Sequence, residues 1–248
     1  MFDNVSVFNF SGIYDEESFY RNDKGSSFYD AGVKVLDFRD ISGTNCMCDD
    51  AAAGRIRKAM ADEKVPCAGI HFIDSGNYHY MSAILTELVK EPFSLVVLDH
   101  HPDMQPPMFG DILSCGGWVL KVLNENKFVC DVHIIGADAG LIAQLDPEDA
   151  SRVKFYGLED IGSLEPEYPV YLSIDKDVLS RDVLITNWDQ GEMTEDQLFS
   201  LVKELANGGK LLGVDICGEC APDQEDCDVA KAIAGNDAFN KRLLELLA

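Results

Sequence analysis

Continuous apolar runs, rather than strict alternation of apolar and polar positions, recur along this chain and predict strands covered on both faces, as a parallel sheet requires. The runs lie at 5–10, 33–38, 66–72, 93–98, 128–135, 152–156, 169–174 and 211–216. Between them, apolar residues take helical spacing at 50–61, 80–90, 111–124, 194–206 and 226–247. Thr194-Glu195-Asp196-Gln197 reads as a capping box that opens an amphipathic helix ending near Asn207-Gly208-Gly209. Strands alternating with helices imply right-handed crossovers and an α/β fold, a three-layer α/β/α sandwich around a mostly parallel sheet of about eight strands. No internal repeat, low-complexity tract or long linker breaks the pattern, so a single catalytic domain over residues 1–248 is expected.

Chemistry-bearing residues collect where apolar runs stop. Asp99-His100-His101-Pro102-Asp103 follows Phe93–Leu98, and Asp175-Lys176-Asp177 follows the run at 169–174. Gly76-Asn77-Tyr78-His79 adds a histidine in a glycine-containing turn before a helical stretch. Open α/β sheets place their sites at the carboxyl ends of strands. In an extended chain alternate side chains share a face, so Asp99, His101 and Asp103 converge while His100 points elsewhere, and Asp175 converges with Asp177. With His79 they make two imidazoles and four carboxylates, a set that suits manganese, zinc or iron better than calcium, manganese first.

Four carboxylates in one cleft repel unless cations compensate them. Two divalent ions about 3.5–4 Å apart would do so and would share a water acidified for attack on carbon or phosphorus. A solitary Asp-x-Asp is commonly a solvated turn or a helix cap; the conjunction of three clusters carries the metal reading. His71 and His133 lie inside apolar runs and read as core histidines. The irregular stretches 104–110 and 180–192 are the expected pocket walls.

Composition narrows the partners. Twenty Lys and Arg against 44 Asp and Glu give a formal charge of −24, which disfavours nucleic acid and anionic membranes and leaves a small, cationic substrate welcome. Acidity also serves solubility, and the acidic residues are spread along the chain. No apolar stretch approaches the ~20 residues of a membrane span and the first residues lack a basic flank and long apolar core, so a cytoplasmic protein with no membrane partner is expected. Its eight cysteines are then expected to stay reduced. Cys46-Met47-Cys48 and Cys217-Gly218-Glu219-Cys220 with Cys227 do not offer four zinc ligands at a standard spacing.

At these clusters the chain resembles the ureohydrolase superfamily of arginases and agmatinases, which shares its fold with histone deacetylases. Gly76-Asn77-Tyr78-His79 is similar to the family's Gly-Gly-Asp-His motif, Asp99-His100-His101-Pro102-Asp103 to Asp-Ala-His-x-Asp, and Ser173-Ile174-Asp175-Lys176-Asp177 to Ser-x-Asp-x-Asp. The resemblance implies a dinuclear manganese centre held by His79, Asp99, His101, Asp103, Asp175 and Asp177. Asp99 and Asp175 correspond to its bridges, with His79 and His101 as terminal ligands of the two ions. The implied reaction is attack of metal-bridging hydroxide on a guanidinium, and family members are often homo-oligomers.

Departures from the family pattern fall on the substrate side. Ser114-Cys115-Gly116-Gly117 stands where many members carry Ser-His-Gly, which puts the Cys115 thiol in the place of a proton-shuttling histidine, or leaves it as a packing residue. Leu179-Ser180-Arg181-Asp182 and Asn187-Trp188-Asp189-Gln190-Gly191 replace the Asp-Pro and Pro-Gly-Thr-Gly elements. Trp188 is a candidate to stack on a planar cation and Asp189 to pair with it; the alternative is a loop anchor and a solvated charge. Glu219 matches the family's guanidinium-binding Glu only with a one-residue shift. The leading expectation is therefore hydrolysis of a linear, nonpeptide C–N bond in a guanidino or amidino compound. Three rivals stand beside it. Asp99-His100-His101 also resembles the signature of DHH phosphoesterases; a deacetylase-like amidohydrolase would use one zinc; and a scaffold would keep the ligands without turnover.

Overall fold

Each of the eight apolar runs contains a strand of one sheet. The computed structural model describes residues 2–21, 32–208 and 211–248. Its strands are β1 (Val5–Asn9), β2 (Lys34–Asp37), β3 (Met47–Cys48), β4 (Ile70–Phe72), β5 (Phe93–Leu98), β6 (Leu113–Ser114), β7 (Val129–Ile135), β8 (Lys154–Tyr156), β9 (Val170–Asp175) and β10 (Leu211–Cys217). Its helices are α1 (Asp50–Asp62), α2 (Met81–Thr86), α3 (Trp118–Glu125), α4 (Ala139–Ile142), α5 (Pro147–Ala150), α6 (Glu195–Asn207) and α7 (Val229–Leu247).

The large sheet runs β2-β1-β4-β10-β9-β5-β7-β8, and every neighbouring pair in it is parallel. Strand residues alternate between two apolar layers, which is why the runs are continuous. In β5, Leu95 and Val97 pack on the side that holds Ile56 of α1, Ile84 of α2 and Trp118 of α3. Val96 and Leu98 pack on the other side, with Leu198 of α6 and Phe239 and Leu243 of α7. Each such fully buried aliphatic contributes about 1.5–3 kcal/mol by leaving water. The last strand, β10, inserts between β4 and β9, so the carboxyl ends of β4, β10, β9 and β5 lie side by side.

Local differences from the sequence pattern have identifiable causes. The stretch expected to be helical from 111 begins instead as β6, because Leu113 and Ser114 pair antiparallel with Cys48 and Met47 of β3. Two adjacent glycines, poor helix formers, then delay the helix to Trp118. Helix α2 ends at Thr86, whose carbonyl accepts a bond from Asn126 Nδ2 (3.1 Å) and whose hydroxyl bonds back to the Ala83 carbonyl (2.9 Å). The capping box forms as the sequence suggests, with Thr194 and Gln197 exchanging bonds at the start of α6. Gly209, at its expected end, lies outside the described residues.

Both core histidines are buried. His133 is satisfied by Tyr156 and Asp131, each 2.9 Å away. His71 on β4 has one nitrogen 3.2 Å from the Cys67 carbonyl, and its Nδ1 has no hydrogen-bond partner among the described residues. Burial pushes the His71 imidazole down to about 4. An unfolded histidine titrates near 6.5, so the unfolded chain binds the extra proton between pH 6.5 and 4. His71 therefore contributes stability that is complete above pH 6.5 and is lost as pH falls toward 4, about 3 kcal/mol in all. Urea unfolding of His71→Leu should lose that part of the acid slope; a slope equal to that of the unaltered protein would refute the assignment.

Candidate metal centre

Four neighbouring strand ends assemble the site. The chain leaving β4 makes a short 3-10 turn at Gly76–Tyr78 and delivers His79; β5 delivers Asp99, His101 and Asp103; β9 delivers Asp175 and Asp177; β10 delivers Cys217. His79 Nδ1 lies 3.2 Å from Asp99 Oδ2, 3.1 Å from Asp103 Oδ2 and 3.4 Å from Asp175 Oδ2. His101 Nδ1 lies 2.9 Å from Asp177 Oδ2 and 3.5 Å from Asp99 Oδ1. All six predicted ligands thus meet. His101, with its side chain 22% exposed, is the one that reaches toward solvent.

Bonds behind the donors fix their aim. His79 Nε2 is 2.9 Å from Ser173 Oγ, which donates to Asp215 Oδ1 at 2.7 Å, and Ser82 Oγ donates to the same oxygen at 3.0 Å. Since Ser173 gives its proton to Asp215, it accepts from Nε2–H, which leaves the Nδ1 lone pair for a cation. Trp118 Nε1 donates to Asp103 Oδ2 (2.7 Å), and Asp103 is itself held at φ +49°, a region that favours glycine. Asp99 Oδ1 accepts the His101 N–H at 2.6 Å, whereas the buried Asp99 Oδ2 has no hydrogen-bond partner among the described residues.

The titration pattern reflects crowded negative charge. Burial, then the nearby Asp99, raises Asp103 to about 7; burial with Asp175 and Asp99 raises Asp177 well above the carboxylate range. Burial opposes charging of His101, but Asp177 and Asp99 outweigh it and raise the ring to about 11. Burial likewise opposes the ionised form of Asp99, yet His101 and His79 hold its carboxyl low. Such crowding favours protonation of the carboxylates, and a bound divalent cation would relieve it instead. An oxygen without a partner and a mixed nitrogen and oxygen donor set both fit such an ion. Two donor groups share Asp99: His79, Asp99 and Asp103, and Asp99, His101 and Asp177.

Other expected site residues divide. Trp188, 39% exposed, stands at the mouth, its ring centroid 5.7 Å from that of His101 and its Nε1 bonded to Asn77 Oδ1 at 2.9 Å. A Cβ on Gly76 would come within 2.7 Å of Trp188 Cδ1, so only glycine lets the indole lie there. Asp189 is exposed beside it. Glu219 requires a correction, because it is fully buried away from the mouth and pairs with Lys176. The cause is Gly218 at φ +95°, which turns the chain so that residue 219 points behind the site. Lys176, also fully buried, further donates to Asn236 (2.7 Å) and Asn240 (3.1 Å) of α7. Asn240 in turn donates to Glu219 (2.8 Å) and Glu17 (3.0 Å). Burial, then Glu219, pushes Glu17 up to about 10, so this carboxyl is neutral at physiological pH.

Cys115 faces another thiol. Its N–H donates to the Cys46 carbonyl at 2.9 Å, continuing the β3–β6 ladder, and its thiol hydrogen-bonds Cys46. That bond pulls Cys46 down to about 7 and, with burial, pushes Cys115 up, which makes Cys115 a holder of its proton rather than a nucleophile. At pH 7 iodoacetamide should label Cys46 several-fold faster than an ordinary thiol titrating near 8.5. Peptide mass spectrometry after timed labelling reads this, and Cys115→Ala should abolish the advantage. Sequence reasoning weighed Cys217 only in a separate cysteine group and not at this cluster, where its Sγ donates to Asp175 Oδ2 at 3.0 Å. The available signal was strand register, since Cys217 pairs with Asp175 across β10 and β9.

The architecture and ligand cluster define a ureohydrolase-type α/β fold. Solved structures with this fold include formimidoylglutamase from Bacillus subtilis (13% identity, TM-score 0.67, covering 99% of this chain and 87% of that one). Agmatine ureohydrolase of Thermoplasma volcanium (16%, TM-score 0.65, 99% and 88%) is another. Proclavaminate amidino hydrolase from Streptomyces clavuligerus (15%, TM-score 0.67, 100% and 93%) is a third. No family model matches the chain. A Thermotoga maritima protein described as "uncharacterized protein" is 30% identical over 221 residues, 88% of this chain and 80% of that one. The chain belongs to the same family as that protein, within the ureohydrolase fold. Among the described residues no helix is long and apolar enough to cross a membrane.

Proposed function

We propose that this protein is a hydrolase of a linear, nonpeptide C–N bond, acting on a cationic guanidino or amidino compound with two divalent ions, manganese foremost. The observation that carries the reading is the pair of donor groups joined through Asp99. His79, Asp99 and Asp103 would hold one ion and Asp99, His101 and Asp177 the other, with Asp175 beside His79. When bound, such ions supply Lewis acidity and an acidified water. The names of the solved relatives, which speak of ureohydrolase and amidino hydrolase, support the substrate class.

The remaining work falls to the chain's own side chains. The Ser173 and Asp215 relay keeps His79 in one tautomer and one orientation. Trp188 offers an aromatic surface beside His101 at the mouth, and Asp189 adds negative charge where a planar cation would enter. The overall charge of −24 raises the local concentration of cations at low salt.

Turnover of manganese-loaded protein against guanidino, amidino, acetyl-amine and phosphodiester compounds tests the reading. Release of an amine from a guanidino or amidino compound, with two ions per chain by elemental analysis, is expected. Turnover confined to acetyl-amines with one ion would favour the deacetylase chemistry, and turnover confined to phosphodiesters would overturn the C–N assignment.

A further inference from the structure

We propose that Cys217 is a ligand of the ion at His79, so that this half of the centre carries a sulfur donor beside its imidazole and carboxylates. The inference rests on the metal-centre reading above and concerns the donor set. Paired residues of neighbouring parallel strands present their side chains on one face, and Cys217 is paired with Asp175. Its Sγ, a carboxylate oxygen of Asp175 and a ring nitrogen of His79 all lie within 4.8 Å of one another, on three buried residues. The spacing is that of groups able to close on one cation.

Two further observations point the same way. A Cβ at position 218 would come within 2.5 Å of Asp175 Oδ1, so the glycine that turns the chain also admits thiol and carboxylate side by side. Asp99 Oδ2, buried and without a hydrogen-bond partner among the described residues, lies 3.2 Å from the same histidine nitrogen and offers the ion an oxygen. Cys217 borders an apolar core cluster, yet its sulfur also meets two polar groups, Asp175 and His79, that would themselves ligate. On binding, the S–H bond breaks, the sulfur lone pair forms the metal–sulfur bond, and the proton leaves to bulk water.

A thiolate draws the His79 half of the centre toward zinc, iron or cobalt, so manganese, which prefers oxygen donors, is then favoured at the half held by His101 and Asp177. Cobalt(II) titration of the full chain reads the ligand directly, because sulfur bound to cobalt gives a near-ultraviolet charge-transfer absorption that oxygen and nitrogen donors lack. The band should appear in the unaltered protein, vanish in Cys217→Ser at equal cobalt content, and persist in Cys46→Ser and Cys115→Ser. Cys217→Ser should also lower the preference for zinc over manganese about 10-fold or more in competition. X-ray absorption of the zinc-loaded unaltered protein, which needs no variant, should show a sulfur neighbour at about 2.3 Å. Cobalt bound without the band, or zinc without the sulfur neighbour, would overturn the ligand and leave the centre standing. Failure to bind either metal would remove both.

Discussion

Asp99→Asn is expected to empty both halves of the metal centre while leaving the fold intact. Asn has the shape of Asp, so its carbonyl oxygen can go on accepting the His101 N–H that Asp99 Oδ1 accepts at 2.6 Å. At the other position an NH2 replaces the oxygen that lies 3.2 Å from His79 Nδ1. An amide nitrogen donates and does not ligate. Because Asp99 belongs to both donor groups, each ion loses a ligand at once, whereas Asp103→Asn removes one from a single group. Losing a partner that merely steadies a ligand costs about 10–100-fold in metal affinity, and losing a shared ligand should exceed that. Metal per chain, read by elemental analysis after dialysis against micromolar manganese, should fall below one ion in Asp99→Asn, and turnover with it. Two retained ions in that variant would exclude a shared role for Asp99.

Lys176→Met is expected to cost about 3–5 kcal/mol of folding stability, the range found when one partner of a buried ion pair is removed. Lys176 is fully buried, and its ammonium bonds Glu219, Asn236 and Asn240. Without it Glu219 loses the one cation it pairs with among the described residues, and Glu17, held neutral by burial and by Glu219, cannot relieve the charge. Lys176→Met combined with Glu219→Leu should recover most of the loss, since an apolar pair of similar volume replaces a buried ion pair at little cost. Urea unfolding of the two single variants and the double gives the coupling. A loss below about 1 kcal/mol in Lys176→Met would show that water reaches the pair. The same lysine stands between two of the clustered carboxylates, so its anchorage to α7 also bears on where Asp175 and Asp177 point.

How much was legible in the sequence follows from which interactions are local. All eight strands of the large sheet were visible because burial on both faces leaves no polar position within a run such as Phe93–Leu98, apart from Ser94. The clustering of the candidate ligands was visible because they follow those runs directly, so chain distance and spatial distance agree at Asp99 and Asp175. The two-residue strands β3 and β6 were not, since a pairing that short leaves no periodicity to read. Cys217, weighed only in a separate cysteine group, and Lys176 were not placed in their present settings for a different reason: each takes its meaning from a partner on another element, Asp175 for one and α7 for the other. Glu219 was misread because a single left-handed glycine reverses the side on which the next residue falls.

The rim above the candidate metal centre and the groups beneath it are tied together. Trp188 and Asp189 ride on the 180–192 excursion, which contributes none of the grouped oxygen and nitrogen donors among the described residues. Yet Asn187 Oδ1 accepts the Gly76 N–H at 3.0 Å in the turn before His79, and the Gly191 N–H donates to the Asp177 carbonyl at 2.7 Å. Redrawing that excursion to retune which compound is accepted would therefore have to keep Asn187 and Gly191 in place.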